Sequence, residues 1–92
     1  MSRRRRRRLP AVEVKVLYFA SFRERIGRDE ERRRLPDGTR VRELWEALAR
    51  EVPQFAAFRS MPPAAVNQEY AEGGTVLRDG DEVAFLPPVA GG

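Results

Sequence analysis

Two residues in this 92-residue chain are placed to do chemistry, and both are glycines: Gly91 and Gly92, at its end. A carboxylate on bare glycine backbone has no Cβ beside it. It can thread into a narrow active site that a side chain would block. The chemistry open to such an end is acyl activation of the carboxylate, followed by attack of a nucleophile. Two glycines close a random chain roughly one time in 200, so the preceding residues have to support this reading. Pro87 and Pro88 stiffen the approach, and Val89 and Ala90 complete a slender tail. Residues 89–92 are therefore expected to form a flexible, functional C-terminal tail.

Other chemistries are limited by residue type. The chain has no Cys and no His. It thus lacks a thiolate nucleophile and disulfides, and also the commonest general base and metal ligand. No autonomous active site, no metal site and no bound cofactor are expected. Asp79, Asp81 and Glu82 lack the spacing of a calcium loop and read as a charged turn, open as an alternative to a basic groove on a partner. No phosphate-cradling loop is present, so any ATP and Mg²⁺ would have to be handled by another enzyme.

Charge divides the chain unevenly. The net charge is +4, but six of the 18 basic residues are the run Arg3 to Arg8. Without that run, 12 basic residues face 14 acidic ones. Residues 1–11 are read as a disordered basic arm, since blocks of like charge repel themselves. No aromatic residue interrupts the run to stack on bases, so nucleic-acid binding is not expected. No apolar stretch approaches the ~18 residues of a membrane span, and no signal-peptide core follows the arginines. A cytoplasmic location is expected.

The elements that must position the tail follow from periodicity. Residues 12–19 alternate as a strand, with Val12, Val14, Val16 and Tyr18 on one face. Ser21 to Glu24 fit a capping box for a short helix near 22–26, stopped by Gly27. Residues 30–35 read as a charged edge strand, and Pro36 to Gly38 as a turn. Residues 40–52 form the clearest helix, with Thr39 as N-cap, and Val41, Leu44, Trp45, Leu48 and Val52 as a core-facing stripe. Pro53 ends it. Residues 54–63 read as irregular, 64–67 as a short strand, and 82–86 as the last strand, with turns at Gly73–Gly74 and Asp79–Asp81. One helix against a small mixed sheet is an α+β solution. The order of elements is that of a ubiquitin-like β-grasp, here residues 12–88.

Val14 to Ala20, Arg23-Glu24 with Gly27, Glu43-Leu44, Ala65 to Tyr70, and above all Asp79 to Gly92 resemble the small, sulfur-carrying subunit of molybdopterin synthase. That resemblance covers Val14 to Gly92 and leaves out the arginine arm. It implies a β-grasp carrier, non-catalytic alone, whose terminal Gly92 is adenylated by an E1-like adenylyltransferase. A sulfur donor enzyme then makes a thiocarboxylate, and the tail enters the large synthase subunit. There the sulfur is passed to cyclic pyranopterin monophosphate to build the molybdopterin dithiolene. It further implies a heterotetramer of two small and two large subunits.

A partner surface is expected as well. If the helix covers Val14, Val16, Val83 and Phe85, then Leu17, Phe19, Ala84 and Leu86 form an apolar patch on the other face, leading towards the tail. Three rival readings stay open. One is a carrier for thiamine, transfer RNA thiolation or cysteine synthesis. Another is a ubiquitin-like protein modifier. The third is a β-grasp module whose arm holds nucleic acid.

Overall fold

The computed structural model describes residues 10–58 and 60–86. The arginine run and the tail 87–92 lie outside these. The first strand, β1 (Ala11–Tyr18), alternates as the sequence predicts: Val12, Val14, Val16 and Tyr18 are buried. It runs without a loop into α1 (Ala20–Ile26), which stops at Gly27 in the left-handed conformation, φ +85°. Then come β2 (Glu30–Pro36), α2 (Val41–Glu51), a tight turn of 3₁₀ helix (Pro53–Ala57), β3 (Ala64–Val66), β4 (Glu69–Ala71) and β5 (Glu82–Phe85).

The five strands form one mixed sheet in the order β2-β1-β5-β3-β4. β1 and β5 are parallel, and every other pair is antiparallel. One face of the sheet is apolar and joins the buried stripe of α2 (Val41, Leu44, Trp45 and Leu48) in a single core. An aromatic cluster fills its centre. Trp45 stacks on Phe55 with ring centroids 5.0 Å apart, meets Phe85 at 5.2 Å, and Phe22 lies 4.9 Å from Phe55. Such pairs add to the burial of their area.

Three local expectations are corrected. Ser21 does not cap α1. The helix begins two residues earlier, with Phe19 at the N-cap and no side chain capping it, because β1 leads directly into the first turn. Thr39 does not cap α2 either. Its hydroxyl donates to the Pro36 carbonyl at 2.6 Å, which closes the turn instead. Arg40 occupies the N-cap, and its N–H donates to the Glu43 carboxylate at 2.8 Å. The next two helix donors, the N–H groups of Val41 and Arg42, reach the carbonyls of Thr75 and Gly73, both at 2.9 Å. A distant loop thus satisfies groups that a side-chain cap would otherwise hold.

The third correction is an additional strand, β4. Val66 pairs with Glu69 across a two-residue hairpin, and both Asn67 and Gln68 have positive φ, 52° and 72°. That is the backbone of a tight hairpin turn, usually signalled by Asn-Gly. Gln68 in place of glycine hid it. The far edge, β2, is tied to the end of α2 by Arg33, whose guanidinium bonds Glu31 at 2.6 Å and grips both carboxylate oxygens of Glu51. The Arg33 hydrogen bonds hold the Glu51 carboxyl below the usual carboxylate range.

Candidate functional site

The last described strand leads to the candidate site. β5 lies in the middle of the sheet, hydrogen-bonded to β1 on one side and β3 on the other. Val83 and Phe85 point into the core and are fully buried. Pairing ends at Leu86, whose N–H donates to the Pro63 carbonyl at 2.8 Å. Beyond that bond come Pro87 and Pro88, which cannot donate to a ladder. Residues 87–92 thus follow a strand that is paired on both sides. The expected functional residues Val89, Ala90, Gly91 and Gly92 lie outside the described residues.

The start of β5 is fixed by the Asp79–Asp81 turn. The Asp79 carboxylate accepts the Glu13 N–H at 2.8 Å. The Asp81 carboxylate accepts the Arg78 N–H at 2.8 Å and the Asn67 side-chain amide at 2.9 Å. The Asn67 carbonyl oxygen in turn accepts the Glu82 N–H at 3.0 Å. Gly80 sits between the two aspartates with φ +89°, which a residue without Cβ adopts freely. These carboxylates therefore serve the backbone, locking β1, β5 and the β3–β4 hairpin in register. Among the described residues no group of His, Cys, Asp and Glu is arranged to hold a metal.

The open face of the sheet, away from α2, shows where the four expected partner-binding residues lie. Leu17 is directly opposite Ala84, Ala84 opposite Ala65, and Ala65 opposite Tyr70. Paired residues share a face, so this is one row of apolar side chains across β1, β5, β3 and β4. Leu17 and Leu86 are half-buried and Phe19 is 44% exposed. Ala84 is only 7% exposed, because a small side chain in a central strand is screened by its neighbours on both sides. Ala84 thus forms the floor of the patch rather than a projecting contact. Ala65 and Tyr70, the latter 83% exposed, extend the row and were missed in the sequence. The alternation through the Asn67–Gln68 hairpin is the signal that would have found them.

Phe19 projects from a corner. It follows β1 directly, and the next residue, Ala20, has φ 49°, a left-handed conformation that costs a residue with a Cβ roughly 1–2 kcal/mol. The opposite end of the open face is polar, with Lys15 paired to Glu82. The apolar end and the exit of β5 therefore coincide.

On the core side, the Tyr18 hydroxyl is the one buried side-chain polar atom without a hydrogen-bond partner among the described residues. Burial, and then the nearby Glu31 carboxylate, push its pKa well above the usual phenol value. It stays neutral and offers no base. Among the described residues no helix is long and apolar enough to cross a membrane.

The ThiS family model matches residues 16–92. The molybdopterin synthase sulfur carrier subunit of Mycobacterium tuberculosis is 42% identical over 82 residues, which cover 88% of this chain and 99% of that one. The small archaeal modifier protein 1 of Methanosarcina acetivorans superposes with a TM-score of 0.71 at 28% identity, covering 90% of this chain and 99% of that one. A protein from the complex of subunits 1 and 2 of the molybdopterin-converting factor of Helicobacter pylori superposes with a TM-score of 0.59 at 26% identity, covering 88% and 100%.

Proposed function

The chain belongs to the ThiS family, and from that membership we propose that it is the sulfur-carrier subunit of a molybdopterin synthase. What supports the reading most is that this chain spans nearly the whole of a curated sulfur carrier subunit at 42% identity, with the family match running through Gly92. The Gly92 carboxylate attacks the α-phosphorus of ATP on an E1-like adenylyltransferase and releases pyrophosphate. Sulfide-level sulfur delivered by a donor enzyme attacks the acyl carbon, AMP leaves, and a thiocarboxylate remains. Like a thiolate, it is a soft nucleophile. The chain has no Cys or His to attack its own activated end. The large synthase subunit takes up the tail and supplies the rest of the active site, in an assembly of two small and two large subunits. Two sulfur transfers convert cyclic pyranopterin monophosphate into the molybdopterin dithiolene.

In this reading the apolar end of the open face docks the large subunit. Phe19→Arg weakens that binding at least about tenfold, since it replaces an apolar contact with a charge that the interface would have to bury unpaired, at a cost of roughly 2 kcal/mol or more. The thermal midpoint stays unchanged, because Phe19 lies outside the core. Titration of the large subunit by calorimetry checks this, and unaltered affinity would remove Phe19 from the interface.

The test of the whole reading is the mass of the C-terminal tryptic peptide of untagged protein from its own cells. Arg78 is the last basic residue, so trypsin releases Asp79–Gly92, which contains no Met to confuse oxidation with sulfur uptake. A sulfur-for-oxygen exchange establishes the carrier. Amide linkage of that peptide to lysines of other proteins would instead favour a modifier, the role named for the Methanosarcina acetivorans neighbour.

A further inference from the structure

β2 is an open edge, and its free hydrogen-bonding groups can be identified. The Tyr18 N–H donates to the Asp29 carbonyl and the Asp37 N–H to the Pro10 carbonyl, at the two ends of the β1–β2 ladder. In an antiparallel pair, bonded and non-bonded positions alternate. With the register Val16–Glu31, Val14–Arg33 and Val12–Leu35, the backbone groups of Glu31, Arg33 and Leu35 turn towards β1. Those of Glu30, Arg32 and Arg34 turn outwards by the same alternation, and among the described residues they make no backbone hydrogen bond to a loop or turn.

Two further features flank this edge. On the open face, Arg32 stands directly opposite Lys15, an unfavourable pairing of like charges. Neither Arg32 nor Arg34 joins an ion pair among the described residues. On the helix side, a cleft of ≈ 560 Å³ runs between β2 and α2, lined by Leu35, Pro36, Leu44, Ala47 and Arg50 among others. A charged edge normally repels stray strands. This one carries Glu30 at one end and Arg34 opposite Glu13 at the other, and between them Arg32, set against Lys15, lies outside any ion pair among the described residues, beside three outward-turned backbone positions.

We propose that the outer edge of β2 is a docking strand for an extended acidic segment of a partner protein, which adds to the sheet as a sixth strand. Its backbone pairs with Glu30, Arg32 and Arg34. Alternate acidic side chains lie over Arg32 and Arg34 on the open face. The intervening apolar side chains enter the cleft beside Ala47 and Leu35. Main-chain pairing supplies affinity and the alternate side chains supply selectivity. The site lies at the sheet edge, one strand removed from β5, so it can be filled while the tail is engaged elsewhere. It does not depend on the sulfur-carrier reading.

The probe is a synthetic peptide of about eight residues that alternates glutamate with valine, added to the full-length protein. Amide exchange followed by NMR is the readout. The expected result is slowed exchange at Glu30, Arg32 and Arg34, with no change at Glu31 and Arg33, which are already bonded to β1. The double variant Arg32→Glu, Arg34→Glu weakens binding at least about tenfold, because it sets like charges against the peptide. A peptide N-methylated at alternate amides loses binding. Three results would overturn the proposal. The first is no binding, or protection confined to other strands. The second is binding that survives the double variant but vanishes when Arg3 to Arg8 are all replaced by Ser, which would assign the peptide to the arm. The third is protection of Glu30, Arg32 and Arg34 in the absence of peptide in a dimeric sample, which would assign the edge to a second copy of this chain.

Discussion

Gly92→Val is expected to leave the protein folded and to cut its loading with sulfur at least about tenfold. The last described hydrogen bond of the sheet is that of Leu86, six residues before Gly92. The core is built from residues between Val12 and Phe85, so the thermal midpoint should match that of the parent. Activation is another matter. Extra methyl groups forced into a channel shaped around glycine cost about 1–3 kcal/mol or more, and each 1.4 kcal/mol is about tenfold in rate. Adenylation should fall at least tenfold to about a hundredfold. The measurement is pyrophosphate release with the activating enzyme and ATP, followed by the mass of the variant's C-terminal tryptic peptide. Normal adenylation of the variant would show that Gly92 is not the working residue, and the carrier proposal would then fail.

Phe85→Ala has the opposite signature. Phe85 is fully buried, pairs with Ala64 and Tyr18 across the centre of the sheet, and packs against Trp45. Emptying such a site costs about 3–5 kcal/mol in lost transfer energy and cavity. A chain of 92 residues has a modest core, and total stabilities are of order 5–15 kcal/mol. The substitution should therefore remove much of the stability and lower the thermal midpoint by more than about 12 °C. Urea denaturation with the midpoint read by Trp45 fluorescence checks it. Because Phe85 is followed by Leu86 and then the tail, a destabilised β5 also loosens the launch point. Loading should fall in proportion to the unfolded fraction, and cooling should restore it. A loading defect that persists in fully folded Phe85→Ala protein would point to a direct role for this strand in partner recognition.

Much of this protein was legible without coordinates, because its signals are local. Alternation in Val12 to Tyr18 and the 3.6-residue stripe of Val41, Leu44, Trp45 and Leu48 each lie within a dozen residues, and both faces are buried as expected. The ending Pro87-Pro88-Val89-Ala90-Gly91-Gly92 is an equally local signal, and it lies outside the described residues. What the sequence obscured was carried by groups far apart along the chain. The first N–H groups of α2 are satisfied by the carbonyls of Thr75 and Gly73, more than thirty residues from the helix start, so the nearby Thr39 hydroxyl was the wrong acceptor to expect. The acidic turn gave no sign that its two carboxylates hold Glu13, Arg78 and Asn67.

The sequence by itself determined the two apolar faces, the glycine end and the lack of any catalytic Cys or His. Only the tertiary structure decided which residues stand side by side: Leu17 with Ala84, Ala65 and Tyr70 in one row, and Arg32 against Lys15 at an open edge. The physical reason is that a period of two or of 3.6 residues is a property of one backbone segment. Strand order and register are instead set by the joint burial of several segments, and a slip of one residue would turn every side chain of a strand to the opposite face.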